Sequence, residues 1–226
     1  MTANTAFDLS AQTVREVNSA LHAAEDGAFS VLNPGGAHAL ACGLNAPLSV
    51  RIAGHAGYYC AGMNKTADVI VEGNAGTGCA ENIMSGSVRV KGDASQSLGA
   101  TGHGGLVICE GHASARCGIS MKGVDIVVGG NVGHMSAFMA QAGRLVVLGD
   151  AGADLGDSIY EAEIFVAGRV ASLGADCEEK PMEDSHRATV ADLLARAGME
   201  ADPGAFRRYG SARKLYHFSI DNLEAY

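Results

Sequence analysis

The chain has 226 residues, of which 31 are glycine and only 4 proline, with no tryptophan, and its formal charge is 16 − 25 = −9. So much glycine without a Gly-X-Y period excludes collagen, and a hydrophobic content of 47 % excludes a disordered tract. The acidic balance argues against nucleic acid or an anionic membrane as the main partner, and with no run of 18 apolar residues nothing is expected to span a bilayer.

The start, Met1-Thr2-Ala3-Asn4-Thr5, lacks a basic segment followed by an apolar stretch, so no signal peptide is read and the chain is expected in the cytoplasm. Its six cysteines (Cys42, Cys60, Cys79, Cys109, Cys117, Cys177) are then expected as reduced thiols. Residues 9–26 carry Val14, Val17, Leu21 and Ala24 at helical spacing. Thr13 and Glu16 fit a capping box, and Gly27 is expected to stop the helix. Residues 1–27 are therefore read as a helical cap.

From 28 to 180 the chain repeats. Stepping by 19 from Gly54 lands on Gly73, Gly92, Gly111, Gly130, Gly149 and Gly168, and one step back lands on Gly35. Two residues before each glycine from Gly54 on stand Ile52, Val71, Val90, Cys109, Val128, Val147 and Val166. The position four before is likewise aliphatic, Val50 to Ile164, and alternates with mixed positions such as Arg89 and Lys91. Period 2 in β-branched residues predicts a strand with one face inward. The position seven after holds only alanine or glycine, from Ala61 to Ala175, and predicts a corner where backbones approach closely. Each glycine is followed by residues such as Asn74, Asp93, Asn131 or Asp150, which tolerate left-handed backbone, so the pair reads as a turn, its glycine required either by positive φ or by packing against the next coil.

A coil of 19 residues is too short for a strand, a helix and two turns, which leaves a β-helix of seven or eight coils, each with two or three short strands. Left-handed β-helices count in hexapeptides, about 18 residues per coil, and 19 does not divide by six, so the predicted fold is an all-β, right-handed parallel β-helix. Beyond it, residues 184–197 predict a second helix with Val190, Leu193, Leu194 and Ala197 on one face and Gly198 as its stop. The tail, 201–226, is rich in cationic and aromatic groups and has too little apolar content for a core of its own. Arg207, Arg208, Tyr209, Arg213, Lys214 and Tyr216 are its candidate partner-binding residues. Residues 181–226 are thus read as a helix and partner-binding tail, the alternative being that the tail lies back on its own β-helix as a second cap.

The titratable residues suggest no chemistry of their own. Cys60, Cys79 and Cys117 share one column with Leu98, Ser136 and Leu155, which reads as a ladder of small buried side chains rather than a cluster site. Cys109 falls in an inward strand column. His55 and His112 occupy the position after the glycine and read as turn residues. Gly73-Asn74-Ala75-Gly76-Thr77-Gly78 looks like a phosphate loop, but it lacks the lysine and recurs as one unit of the repeat. The pairs Glu161/Glu163 and Glu178/Glu179 read as isolated and solvated. No catalytic, cofactor-binding or metal-binding residue is assigned, and no cofactor is expected in this chain.

The coils, with Gly73-Asn74-Ala75-Gly76-Thr77-Gly78 and Met121-Lys122-Gly123-Val124-Asp125-Ile126, resemble the C-terminal GXGXG β-helix domain of the glutamate synthase large subunit. A similar fold occurs in the β-helix subunit of formylmethanofuran dehydrogenase and its formyltransferase/hydrolase relatives. The whole chain, including Tyr58-Tyr59-Cys60-Ala61-Gly62-Met63-Asn64, Gly133-His134-Met135-Ser136-Ala137-Phe138-Met139 and Gly210-Ser211-Ala212-Arg213-Lys214-Leu215-Tyr216, resembles a free-standing subunit of N-methylglutamate synthase (methylamine–glutamate N-methyltransferase). The resemblance implies a non-catalytic scaffold between an amidotransferase-like chain and a chain that binds FMN and iron–sulfur clusters. The reaction it implies is methylamine plus L-glutamate giving N-methyl-L-glutamate and ammonia. Two alternatives stay open: the formyl-transfer scaffold, and a lone β-helix enzyme of the polysaccharide-lyase kind, which the missing export signal and carboxylate cluster count against.

Overall fold

A computed structural model describes residues 4–214. Eleven strands form one sheet: β1 (Asn4–Asp8), β2 (Gly27–Leu32), β3 (Leu48–Ile52), β4 (Asp68–Val71), β5 (Ser87–Val90), β6 (Leu106–Cys109), β7 (Lys122–Val128), β8 (Ala142–Val147), β9 (Glu163–Val166), β10 (Cys177–Lys180) and β11 (Arg207–Ser211). Their spatial order is β1 to β9 in sequence, then β11 and β10. Every pair from β1 to β9 is parallel. From β3 to β9 equivalent residues sit 19 apart, as Val50, Val69 and Val88 show. This is a parallel β-solenoid of seven coils on that period.

Each coil holds one true strand rather than two or three. A single-residue bridge two positions after the turn glycine makes the second ladder, running Ala56, Ala75, Ala94, Ala113, Val132, Ala151 and Val170. The rest of the coil turns through left-handed backbone at alternate residues. Tyr59, Ala61 and Met63 have φ of 58°, 53° and 56°, and the same triplet recurs as Gly78, Ala80, Asn82 and in each coil to Asp154, Gly156, Ser158. Alternating the backbone hand flips successive peptide planes. The Gly78 and Asn82 N–H groups therefore donate to the following coil (Gln96 O, Ala100 O), while the Ala80 N–H between them donates back to Cys60 O. The middle residue is buried as well as left-handed, which confines that column to alanine and glycine.

Of the two reasons the sequence leaves open for the turn glycine, positive φ or packing against the neighbouring coil, the structure shows the second. Gly73, Gly92, Gly111, Gly130, Gly149 and Gly168 do not adopt positive φ, and nor do the Asn and Asp residues after them. The constraint is space. A Cβ on Gly73 would lie 2.6 Å from His55 Nδ1 and 2.9 Å from the Gly54 carbonyl carbon, and one on Gly130 would lie 2.5 Å from His112 Nδ1. What crowds that space is a hydrogen-bond ladder. Each side chain after the glycine accepts from the backbone N–H of its counterpart one coil on. Asn74 N donates to His55 Nδ1 (2.9 Å), Asp93 N to Asn74 Oδ1 (3.0 Å) and His112 N to Asp93 Oδ1 (2.7 Å). Asn131 N then donates to His112 Nδ1 (2.9 Å), Asp150 N to Asn131 Oδ1 and Arg169 N to Asp150 Oδ1 (2.8 Å each). His55 and His112 are thus rungs of this ladder, with the acceptor role placing the ring proton on Nε2.

The strict period ends at both ends of the solenoid. Val31 pairs with Ile52, an offset of 52 − 31 = 21, so Gly35 is not a member of the glycine column. Leu155 bridges Leu173, an offset of 173 − 155 = 18, so Gly174 rather than Ala175 follows Gly156 in the alanine/glycine column, and Asp176 (φ 61°) follows Ser158. At the N-terminal end β1 adds a strand the sequence did not suggest, and the helix is shorter than predicted: α1 (Val14–Ala23), opened by the Thr13–Glu16 capping box. α1 stands in for the missing coil. Val17 and Leu21 plug the core. Asn18 bonds Ala39 O (2.7 Å) and accepts from Ala41 N (2.9 Å), and His22 Nε2 sits 2.7 Å from Cys42 O.

The second helix, α2 (Asp184–Ala197), has the predicted bounds and ends at Gly198 with φ 65°. It lies on the flank of the solenoid, not over its end. Val190, Leu193, Leu194 and Ala197 form a second core with Ile108, Val127, Val146 and Phe165, the outward residues of β6 to β9. That outward column is polar or isolated earlier (Arg51, Ile70, Arg89) and continuously apolar from Ile108 on. The seat of α2 is therefore written in the repeat.

Removing one rung of the ladder should cost less than crowding it. Asp93→Ala leaves the His112 N–H to water and should destabilise by about 1 kcal/mol. Gly130→Ala drives a Cβ into His112 and the Gly111 backbone and should cost more than that. In a double-mutant cycle with His112→Ala, denaturant midpoints should show part of the Gly130→Ala cost recovered, because one of its two clashes is gone. Full additivity would show that the ladder side chain is not what excludes a Cβ.

Candidate functional site

The interior columns are apolar and sealed. Cys60, Cys79, Cys109 and Cys117 are 0 % exposed. The Cys79 side chain beside it, reinforced by burial, raises the Cys60 thiol pKa well above its ordinary value. Burial pushes Cys109 up to about 12 and Cys117 higher still. Such thiols stay protonated and behave as small hydrophobes. Among the described residues no three His, Cys, Asp or Glu side chains converge as a metal site.

Charged groups converge instead at the C-terminal end. Strand β11 folds back antiparallel between β9 and β10, with Tyr209 opposite Ile164 and Glu179. Glu163 of β9 is the hub. Its Oε1 lies 3.1 Å from Arg208 Nε and 3.5 Å from His186 Nε2, and its Oε2 lies 3.8 Å from Arg144 Nε. One carboxylate thus ties β8, β9, β11 and α2 together. Asp125 of β7 meets Arg144 Nη1 at 3.4 Å and Arg196 Nη1 at 3.8 Å. Burial outweighs both arginines and holds the Asp125 carboxyl above its ordinary pKa. Glu161 pairs with Arg213 at 2.7 Å, Glu178 with Lys180 at 2.6 Å, and Glu179 with Arg207 at 3.7 Å. The carboxylates read as isolated are therefore partners of the tail and its neighbours. The reason is topological: a reversal of direction later in the chain brings the arginines onto them.

A cleft of about 350 Å³ opens there, lined by Tyr160, Glu161, Lys180, Arg208, Tyr209 and Arg213 among others. Its cations are committed to carboxylates, so it is built to hold the tail rather than to accept a charge. The tail candidates divide accordingly. Tyr209 is 2 % exposed and caps the main core. Arg208 reaches Pro181 O (3.0 Å) and Glu163, and Arg207 reaches Gly168 O (3.1 Å). Arg213 keeps most of its side chain in solvent, and the Lys214 N–H donates to Asp176 Oδ1 (2.8 Å). Tyr216 lies outside the described residues. Up to Lys214 the tail lies back on its own solenoid as a second cap: the open end needs a cover, and Tyr209 supplies it.

One surface feature escaped the sequence reading. Tyr58, Tyr59, Met63 and Met84 are 52, 51, 56 and 43 % exposed, four of five large hydrophobic side chains that stand out among the described residues. Part of the signal was in the repeat: Tyr59 and Met63 are the first and third residues of a left-handed triplet, of which only the middle one, Ala61, is buried.

The chain is 57 % identical over 225 residues to Protein GlxC of Rhizobium meliloti (strain 1021), a match spanning 97 % of this chain and 99 % of that protein. No family model and no solved structure matches it.

Two variants probe the C-terminal cluster. Glu163→Gln should lower amide-exchange protection in α2 and β11 by about tenfold, or roughly 1.4 kcal/mol, and leave β4 to β7 unchanged. Equal loss throughout would mean that the cap and the coils are one cooperative unit. For Asp125 the raised folded pKa means that the folded state holds the proton more tightly than the unfolded one, so stability falls as pH rises from the ordinary carboxylate range through the raised value. Asp125→Asn should remove that fall and be the more stable form on the neutral side. A less stable Asn variant at neutral pH would show that the arginine pairs outweigh burial.

Proposed function

The chain belongs to the GlxC family, and on that footing we propose that it is a non-catalytic scaffold subunit of a glutamate-synthase-like complex of the N-methylglutamate synthase type. It holds an amidotransferase-like chain against a chain that carries FMN and iron–sulfur clusters. The complex converts methylamine and L-glutamate to N-methyl-L-glutamate and ammonia. The observation that carries the scaffold reading is the use the fold makes of its charged side chains. Glu163, Asp125, His186 and the arginines around them are engaged in joining coils, helix and tail. The near full-length match to a family member extends the kinship over both helices and the tail as well as the coils.

A solenoid suits that task. Its coils stack on a fixed period, so residues several coils apart keep a fixed separation, about 4.8 Å per coil, and two chains bound along it are held at a set spacing. The exposed Arg213 and Lys214, with Tyr216, are the tail's contribution to partner binding, whereas Arg208 and Tyr209 hold the tail in place.

The test is co-expression with the chains encoded beside it. A complex containing all three chains, with visible flavin absorbance and N-methylglutamate formed from methylamine and glutamate, is the expected result. Arg213→Ala should weaken the complex without lowering the melting temperature of the isolated chain. If the other two chains assemble and turn over equally well without this one, the scaffold reading falls.

A further inference from the structure

The exposed corner formed by Tyr58, Tyr59, Met63 and Met84 is held rigid. The Tyr58 ring stacks on His38 with centroids 4.5 Å apart at 12°. On its other side is Gly76, where a Cβ would lie 3.0 Å from Tyr58 Cδ1. Tyr59 lies over Gly78 in the same way, 2.7 Å from the position a Cβ would take. Glycine thus stands where each tyrosine ring crosses the next coil, and ordered aromatic surface in water is costly to keep unless something covers it. Met84 lies one coil on from Met63, its N–H donating to O of the neighbouring Asn64 (2.7 Å).

Under Tyr59 is a cleft of about 180 Å³ lined by Cys42, Tyr59, Gly62, Met63, Glu81 and Asn82. The carboxylate of Glu81 is its one charge. Glu81 Oε2 lies 2.9 Å from the same missing Gly78 Cβ that the Tyr59 ring flanks, so carboxylate and ring edge meet over that glycine. Glu81 is half-buried, and its side chain has no hydrogen bond or cationic partner among the described residues. Two of the cleft's other polar groups are engaged elsewhere: the Cys42 thiol donates to Tyr59 O (2.7 Å), and Asn82 Oδ1 accepts from Thr101 (2.7 Å). A purely apolar occupant would bury Glu81 unpaired, and an anionic one would be repelled. A cation on an apolar stem satisfies carboxylate, ring and thioether together.

We propose that this corner is a protein-docking surface whose anchor is a basic side chain, arginine or lysine, of a partner chain inserted beside Glu81 and Tyr59, with Tyr58, Met63 and Met84 as the apolar rim. It rests on the reading of the chain as an assembly subunit and names the surface and the chemistry of that contact. The test uses the full chain with labelled methionine methyls and two synthetic peptides, acetyl-Leu-Arg-Leu-amide and its norleucine counterpart, acetyl-Leu-Nle-Leu-amide. The arginine peptide should shift the Met63 and Met84 signals, and the norleucine peptide should bind at least tenfold more weakly. Glu81→Gln should lose the same factor with an unchanged melting curve. Equal binding of both peptides, an unaffected Glu81→Gln variant, or no methyl shift would overturn the proposal. So would a dimer by sedimentation that protects these methyls, since the occupant would then be a second copy. The peptides need no other subunit, so this outcome is independent of whether the three-chain complex forms.

Discussion

Coils of equal length must lie on one another closely enough for their peptides to bond. Where the chain leaves each strand, that closeness removes the room for a side chain and leaves a backbone N–H to satisfy. The fold answers both needs in two adjacent residues. Glycine allows the approach, and an Asn, Asp or His after it accepts the N–H of the next coil. A coil one residue longer or shorter between β3 and β9 would put the wrong residue under each of the others. The period is therefore kept without slip through the whole of that span.

The ends show what happens when stacking stops. A solenoid end exposes a core cross-section and unpaired peptide groups, both costly and both open to aggregation. At the N-terminus α1 copies a coil with side chains: Asn18 and His22 meet the peptide groups of the first left-handed turn, while Val17 and Leu21 close the core. At the C-terminus the chain reverses, and β11 inserts antiparallel between β9 and the edge strand β10, with Tyr209 as the plug. The reversal brings like and unlike charges together, and Glu163 and Asp125 order them into ion pairs that also fix α2.

The outer surface is then what remains for function. The outward face of β6 to β9 is covered by α2. The left-handed corner carries fixed tyrosines, flexible methionines and an unpaired carboxylate. That combination is the ordinary make-up of a protein contact, in which rigid aromatic surface costs little entropy to bury and a single charge sets specificity. A repeat whose interior is spent on its own stacking can vary only outward, and the corner positions are where this chain departs most from small residues.

Period, strand positions, inward columns, both helices and the role of small residues at the corner were legible in the sequence, because each follows from local geometry repeated at a fixed spacing. Thr13 with Glu16, and Gly198 after Ala197, needed only their neighbours to be read. What escaped was everything set by contact between distant segments. Which of two reasons held for the turn glycine, its own φ or packing against the neighbouring coil, was decided by the side chain of the preceding coil. The partners of Glu161 and Glu163 lay on a tail whose direction no local pattern records. The seat of α2 needed the outward column and the helix face to be brought together in space. Sequence alone determined the coil, because a coil repeats its own surroundings; tertiary structure decided the ends and the flank, because there each residue's surroundings come from elsewhere in the chain.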